Sequence, residues 1–179
     1  MNRLRKRLAI PHHPGMAGVN HGEILHALHF GAFERHLAIN APQFAGMPGT
    51  TLAEHFPRWT HTMSCMVNPH GASKVMVKHR YANGVHATYN NTVKSGVTMV
   101  TGHLHRLNIT AWGDYNGRRY GIDTGTLAEP NGPQFTYGED SPSPHGQGFA
   151  VLTFEDGYLL PPELVEVRDG TAYFRGKAV

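Results

Sequence analysis

Gly102-His103-Leu104-His105 places two imidazoles one residue apart, directly after the run Val97-Thr98-Met99-Val100-Thr101. A second apolar run, Val75-Met76-Val77, leads into His79, 24 residues upstream of His103. Histidine is the commonest metal ligand and the side chain best suited to proton transfer near neutrality. At a strand end, residues i and i+2 point the same way, and Gly102 lets the backbone turn without a Cβ clash. His103 and His105 can then reach one cation or two adjacent ones, and His79 can converge on them from a neighbouring strand. Three imidazoles suit borderline divalent metals such as Zn, Mn, Fe or Ni. His-x-His alone recurs by chance. A strand, a glycine and His-x-His, beside a second strand that ends in histidine, is a more specific pattern. The chain holds 14 histidines, and their placement decides what that excess means.

The elements that must position these side chains follow from periodicity and turn chemistry. Residues 74–78 read as a β-rich buried strand. Residues 85–95 read as a helix with Val85, Tyr89 and Val93 on one stripe, stopped by Gly96. Residues 97–101 read as the next strand. Strand, helix and strand within about thirty residues predict a βαβ unit with parallel strands. Both histidine sites then lie just past the carboxyl ends of neighbouring strands, the edge at which open α/β sheets place ligands.

Downstream, residues 108–112 and 118–122 flank Asp114-Tyr115-Asn116-Gly117, a hairpin turn with Asn-Gly at its tip. Asp114 and Asp123 fall in this hairpin region and read as turn caps. Residues 124–148 form a long Gly/Pro-rich loop, of a length that is often functional or mobile. Residues 149–154, 158–160, 163–167 and 171–175 read as strands, with Asp156-Gly157 and Asp169-Gly170 as turns. Upstream, residues 23–40 read as a helix carrying Ile24, Leu28, Phe33 and Leu37 inward, and Asn40 and Pro42 end it. His26 and His29 lie one turn apart on its solvated face. Residues 51–56 suggest a helical turn and 59–66 a strand. Residues 1–22 are a basic lead-in expected to be mobile, and 23–179 form the folded portion.

Composition narrows the function classes. A chain of 179 residues can bury a real core. Its net charge of +3 is mild, and Arg3, Arg5, Lys6 and Arg7 alone supply four positives. A broad nucleic-acid surface is therefore not expected on the folded part. The single Cys65 excludes an internal disulfide framework and a Cys-rich zinc site. No run approaches the roughly 20 apolar residues of a membrane span. The basic start lacks an apolar segment behind it, so it is not read as a secretory signal. A cytoplasmic protein that does not enter membranes is expected.

The central stretch resembles the C-terminal half of the calcineurin-like metallophosphoesterases, above all their phage-encoded branch. Gly102-His103-Leu104-His105 is similar to that family's G-H-x-H motif, and Val77-Lys78-His79 to its histidine-bearing strand end. The segments 120–127 and 148–152 resemble the parts that follow. The similarity runs from about Phe33 to Val179 and is densest over 74–154. It implies a four-layer α/β/β/α sandwich, present here in part: a central βαβ unit followed by antiparallel hairpins. It implies hydrolysis of phosphomono- or phosphodiesters with two divalent ions, which clamp the phosphate and stabilise attacking and leaving oxygens. By position, His79 and His103 would bind one ion and His105 the other. His86 matches no ligand in the family. It is either a donor to phosphate or a polar residue on the helix. Asn83 and Arg106 are candidate substrate-binding groups.

The family's earlier motifs, D-x-H, G-D-x-x-D and G-N-H-[DE], have no counterpart here. The first aspartate is Asp114, and the acids before residue 103 are Glu23, Glu34 and Glu54. Phosphoryl transfer leans on positioning and charge, so the sequence predicts an incomplete two-metal site holding one ion or none. A second copy or a partner chain would supply the missing acids. Two other readings stand beside the hydrolase. One is a non-catalytic metal-binding or structural remnant of the fold. The other is a phage nucleic-acid-binding module using Arg3 to Arg7 with Trp59, Tyr81 and Tyr89. If the chain is phage-encoded, its location would be the host cytoplasm.

Overall fold

The computed structural model describes residues 39–44, 47–55, 57–58, 62, 64–133, 135 and 144–179. The lead-in, its boundary at 22/23, the Arg3 to Arg7 cluster, and His26 and His29 lie outside these residues. So do residues 23–38 of the first expected helix, 59–61 and 63 of the expected strand over 59–66, and 134 and 136–143 of the long loop. The chain divides into two units after Thr62. In the first, a 3-10 turn spans Pro42–Phe44 and the short helix α1 spans Leu52–His55. Thr51 and Glu54 close a capping box there. The Thr51 hydroxyl accepts from the Glu54 N–H at 3.3 Å, and the Glu54 carboxylate accepts from the Thr51 N–H at 3.0 Å.

The second unit begins with β1 (Ser64–Val67), β2 (Val75–Lys78), helix α2 (Ala87–Ser95) and β3 (Thr98–Thr101). The hairpin β4 (Leu107–Asp114) and β5 (Gly117–Thr124) follows. These strands form one mixed sheet in the order β1-β2-β3-β5-β4. β2 and β3 are parallel, as are β3 and β5, while β1 and β4 run antiparallel at the two edges. The expected βαβ unit is therefore present, and the fold is α/β. Gly96, at φ 70, ends α2 in the left-handed conformation. The hairpin turns at Tyr115-Asn116 rather than Asn-Gly. Gly117 follows the turn at φ 99, and the Asp114 carboxylate accepts from the Asn116 N–H at 2.9 Å.

A second, antiparallel sheet has the order β11-β10-β9-β6, from β6 (Gly148–Val151), β9 (Glu163–Arg168), β10 (Thr171–Phe174) and β11 (Lys177–Ala178). A small hairpin joins β7 (Phe154–Glu155) to β8 (Tyr158–Leu159). Asp156-Gly157 and Asp169-Gly170 are turns with both residues at positive φ, as their sequence predicts. Arg175-Gly176 makes a third such turn, before β11, and its arginine hid it from a search for Asn-Gly or Asp-Gly.

The register sorts side chains to the two faces of the mixed sheet. Pairing of Val75 with Thr98, Val77 with Val100 and Val100 with Ile122 puts these residues on one face. Val75, Val77, Val100, Tyr120 and Ile122 are buried there. The Leu107 side chain, on this same face, lies close to Gly125, Gly146 and Gly148, so the segment entering β6 covers it. α2 covers the opposite face. There Gly121 sits so close to the helix that a Cβ would overlap the Thr88 carbonyl oxygen.

The helix does not bury the stripe expected from its apolar residues. Val85, just ahead of it, is 76% exposed and Tyr89 is 40% exposed, while Ala87, Thr88, Asn91 and Thr92 are buried. The reason is hydrogen bonding. Thr88 Oγ1 lies 2.7 Å from Thr110 Oγ1, and Asn91 Nδ2 donates to Thr101 Oγ1 at 3.3 Å. Asn91 Oδ1 accepts from the Ala82 N–H at 2.7 Å, and Arg119 Nε donates to the Thr92 carbonyl at 3.2 Å. These partners stand on the sheet face and its edge, so the polar side of α2 turns inward. Among the described residues, no helix is long and apolar enough to cross a membrane.

Candidate metal centre

The parallel pairing of β2 with β3 carries two histidines to one edge. His79 follows β2 directly, and His103 follows β3 by one glycine. The Gly102 N–H donates to the His79 carbonyl at 3.2 Å, which ties the two connections together just past the strands. His103 Nδ1 then lies 3.0 Å from His79 Nε2, with the rings edge to face at 4.8 Å between centroids. The two nitrogens share one proton, and the tautomers decide which donates. Two nitrogens on one tetrahedral ion, each at about 2.0–2.1 Å, stand roughly 3.3–3.4 Å apart. The observed spacing is short of that by a few tenths of an ångström. An ion shared by the pair would therefore sit off the line between the two nitrogens and would need the rings to part by those few tenths of an ångström.

His105 goes elsewhere. β3 ends at Thr101, and residues 103 and 104 form a turn, so the strand rule that would align His103 with His105 no longer applies. His105 itself is in the left-handed region at φ 57. A non-glycine residue held there is strained and needs surrounding contacts to keep it. Its carbonyl accepts from the Gly146 N–H at 2.8 Å. Its ring meets His145 at 4.9 Å and Phe135 at 5.2 Å, both edge to face. Among the described residues, no three His, Cys, Asp or Glu side chains gather as a metal site. One ion on His79 and His103 fits these residues. The expected convergence of all three histidines, and a second ion, do not.

The other candidates flank this edge. His86 is the N-cap residue of α2 and is exposed. Its backbone carbonyl accepts from Asn90, and its side chain makes no capping bond. Asn83 is exposed in the connection from β2 to α2. Arg106 reaches the same connection, with Nη1 donating to the Gly84 carbonyl at 3.3 Å. Arg106 thereby links the His103–His105 turn to the loop that carries His79 and Asn83.

Two features were missed in the sequence. Asp114 caps its turn as expected and is clamped by Arg119 at 3.0 and 2.7 Å, which holds its carboxyl down at about 2. Asp123 meets the Gly125 N–H two residues on, as a turn cap does, but it is also buried. It pairs with Thr101 at the carboxyl end of β5, is 1% exposed, and its Oδ1 is buried with no hydrogen-bond partner. Burial pushes its carboxyl up to about 7, against the N–H groups of Gly125 and Arg106 and the Arg106 charge, which pull it down. A lone acid inside an apolar strand, as in Tyr120-Gly121-Ile122-Asp123, was the signal that could have found it. The second feature is His145, which meets His105 from the far end of the long loop. Burial first, then the Arg106 charge, hold its imidazole below the ordinary range. Nothing in the local sequence marks it. Comparison with protein-family models, with curated proteins and with solved structures returns no match.

Proposed function

We propose that this chain is a metal-dependent phosphoester hydrolase, acting on phosphomono- or phosphodiesters, with its ion held by His79 Nε2 and His103 Nδ1. The observation that carries the reading is their 3.0 Å contact at the carboxyl edge of two adjacent parallel strands. When bound there, a divalent ion such as Mn, Zn, Fe or Ni supplies Lewis-acid polarisation of phosphoryl oxygens and activation of water. The chain's own groups do the rest. Arg106 and Asn83 stand on the two connections that frame the pair and orient the phosphate. The hydrogen bond from Gly102 to the His79 carbonyl keeps the imidazoles in register. Supporting the fold assignment, α2 covers one face of the mixed sheet and the β6 segment meets the other. Under this proposal, these layers form part of an α/β/β/α sandwich of the metallophosphoesterase type. The reading places the protein in the cytoplasm, the host's if it is phage-encoded. It also assigns the missing carboxylates to a second copy or a partner chain.

One observation favours a non-catalytic variant of this reading. No Asp or Glu occurs between Glu54 and Asp114, so the segment bearing the histidine pair brings no carboxylate to a second ion. A module that binds one ion without turnover has this composition. Titration of the metal-free protein with Zn, Mn and Ni separates the outcomes. Wild type should bind one ion per chain, and His79→Ala or His103→Ala should weaken binding by about 10-fold or more, at least what loss of an outer-shell partner costs. Hydrolysis of a p-nitrophenyl phosphodiester in the same solutions tests turnover. Failure of every ion to bind, with His103→Ala silent, ends the metal reading altogether.

A further inference from the structure

The carboxyl edge that carries the histidine pair is also unusual in its charge. Between Glu54 and Asp114 the chain has no carboxylate, yet it carries Arg58, Lys74, Lys78, Arg80, Lys94 and Arg106. Topology sorts these. Lys74 precedes β2 and Lys94 lies in the last turn of α2, away from the site. Lys78, Arg80 and Arg106 lie on or beside the two connections at the carboxyl edge. Arg80 is exposed and adjacent to His79. Lys78 Nζ sits 5.2 Å from the centroid of the Tyr81 ring, a cation over an aromatic face. Tyr81 remains 45% exposed. Arg106 holds the loop bearing Tyr81 against the turn after β3 through the Gly84 carbonyl. Of the carboxylates on the described connections at this edge, Asp123 is buried and Glu129 lies beyond β5.

We infer that this edge binds single-stranded nucleic acid, with Tyr81 as a base-stacking platform and Lys78, Arg80 and Arg106 pairing with phosphates. Charge complementarity selects a polyanion, because three cations spread over two connections exceed what one small phosphate needs. The exposed ring selects an unpaired strand. Bases stack on aromatic side chains only when they are free of a duplex, and a positive track for the backbone beside such a ring is how sequence-tolerant strand binding is built. The strand would lie across the histidine pair and present a phosphodiester to it. The inference thus rests on the proposed function and names its substrate class. It uses the same edge but not the ion.

Fluorescence polarisation with a labelled 15-mer of oligothymidylate, in EDTA, tests it apart from the metal reading. Charge reversal in Lys78→Glu/Arg80→Glu should weaken binding by roughly 10-fold or more at 50 mM salt. It should also flatten the salt dependence by roughly 0.7 for each phosphate that is no longer neutralised. Tyr81→Ala should weaken binding about 5-fold or more with the salt slope unchanged, and Tyr81→Trp should restore it. Circular dichroism of each variant guards against misfolding, and Arg80→Glu alone, at an exposed position, carries the test if Tyr81→Ala does not fold. Equal binding of duplex and single strand with Tyr81→Ala silent would mean a charged surface without stacking, and would overturn the inference. So would binding that is abolished on removing residues 1–8 and untouched by the edge variants.

Discussion

The two faces of the five-stranded sheet lean to different materials, though each carries one exception, Thr98 on the first and Met99 on the second. One carries Val75, Val77, Val100, Tyr120 and Ile122, none more than 7% exposed. The other carries Arg119, Gly121, Asp123 and Thr101 beneath the Thr88, Asn91 and Thr92 side of α2. The apolar face gains from area removed from water, roughly 25 cal/mol per Å², without regard to direction. The polar face gains from hydrogen bonds that hold only in one geometry, and each would cost about 1–3 kcal/mol if left unmade. The two faces thus divide the labour. The apolar face supplies stability that tolerates repacking. The polar face fixes where α2, and hence the loop bearing His79, stands relative to β3 and His103.

The sharpest way to break the polar face is Gly121→Val. Its side chain would occupy the place of the Thr88 carbonyl, so α2 could not dock. The cost should exceed the roughly 1–3 kcal/mol of ordinary overpacking, and urea denaturation should lose its cooperative transition. A variant as stable as wild type would mean that α2 does not pack on β5. On the apolar face, Ile122→Ala leaves a cavity at a fully buried site and should cost about 2–5 kcal/mol, read as a shift in urea midpoint at constant slope.

Asp123→Asn separates the faces by pH. The folded carboxyl keeps its proton up to about 7, the unfolded one only to its ordinary value of 3.8. Its contribution to stability is therefore full below pH 3.8 and is lost as pH rises to about 7. A rise of roughly three units at about 1.4 kcal/mol each sets the loss at roughly 4 kcal/mol at most. The asparagine variant should be flat over that interval and more stable than wild type at pH 8. Parallel pH profiles of the two proteins would refute the buried, protonated Asp123. The smallest effect is expected at Val85→Ser. Val85 is 76% exposed, so the change should stay within about 0.5 kcal/mol. A larger loss would restore the apolar stripe to the core.

The same contrast separates what was legible in the sequence from what was not. Val75, Val77 and Ile122 announce the apolar face because burial follows residue type. The extent of α2 was legible because Gly96 stops it. Its inward side was not, because hydrophobic periodicity assigns Val85, Tyr89 and Val93 to the core and cannot see that the Thr88 and Asn91 side chains and the Thr92 carbonyl have partners outside the helix. The same limit divides the site. His79 and His103 were legible as a pair because parallel strands bring their own ends together. The place of His105 depends on one left-handed φ and on His145, 40 residues later, and neither has a local signal. The burial of Asp123 was missed because its place beside a turn drew the reading away from its place inside an apolar strand.

The three tight turns at Asp156-Gly157, Asp169-Gly170 and Arg175-Gly176 have a consequence for the order of assembly. Each joins strands that are adjacent in sequence, so β7 with β8, β9 with β10 and β10 with β11 can pair by closing two-residue loops, on the microsecond scale of hairpins. The parallel strands β2, β3 and β5 must first close loops across a helix and a hairpin, which is slower because entropy is lost before contacts repay it. The C-terminal hairpins should therefore be protected from hydrogen exchange earlier in refolding than Val75, Val100 and Ile122. The histidine pair, which exists only once β2 lies beside β3, would then be among the last features of the molecule to form.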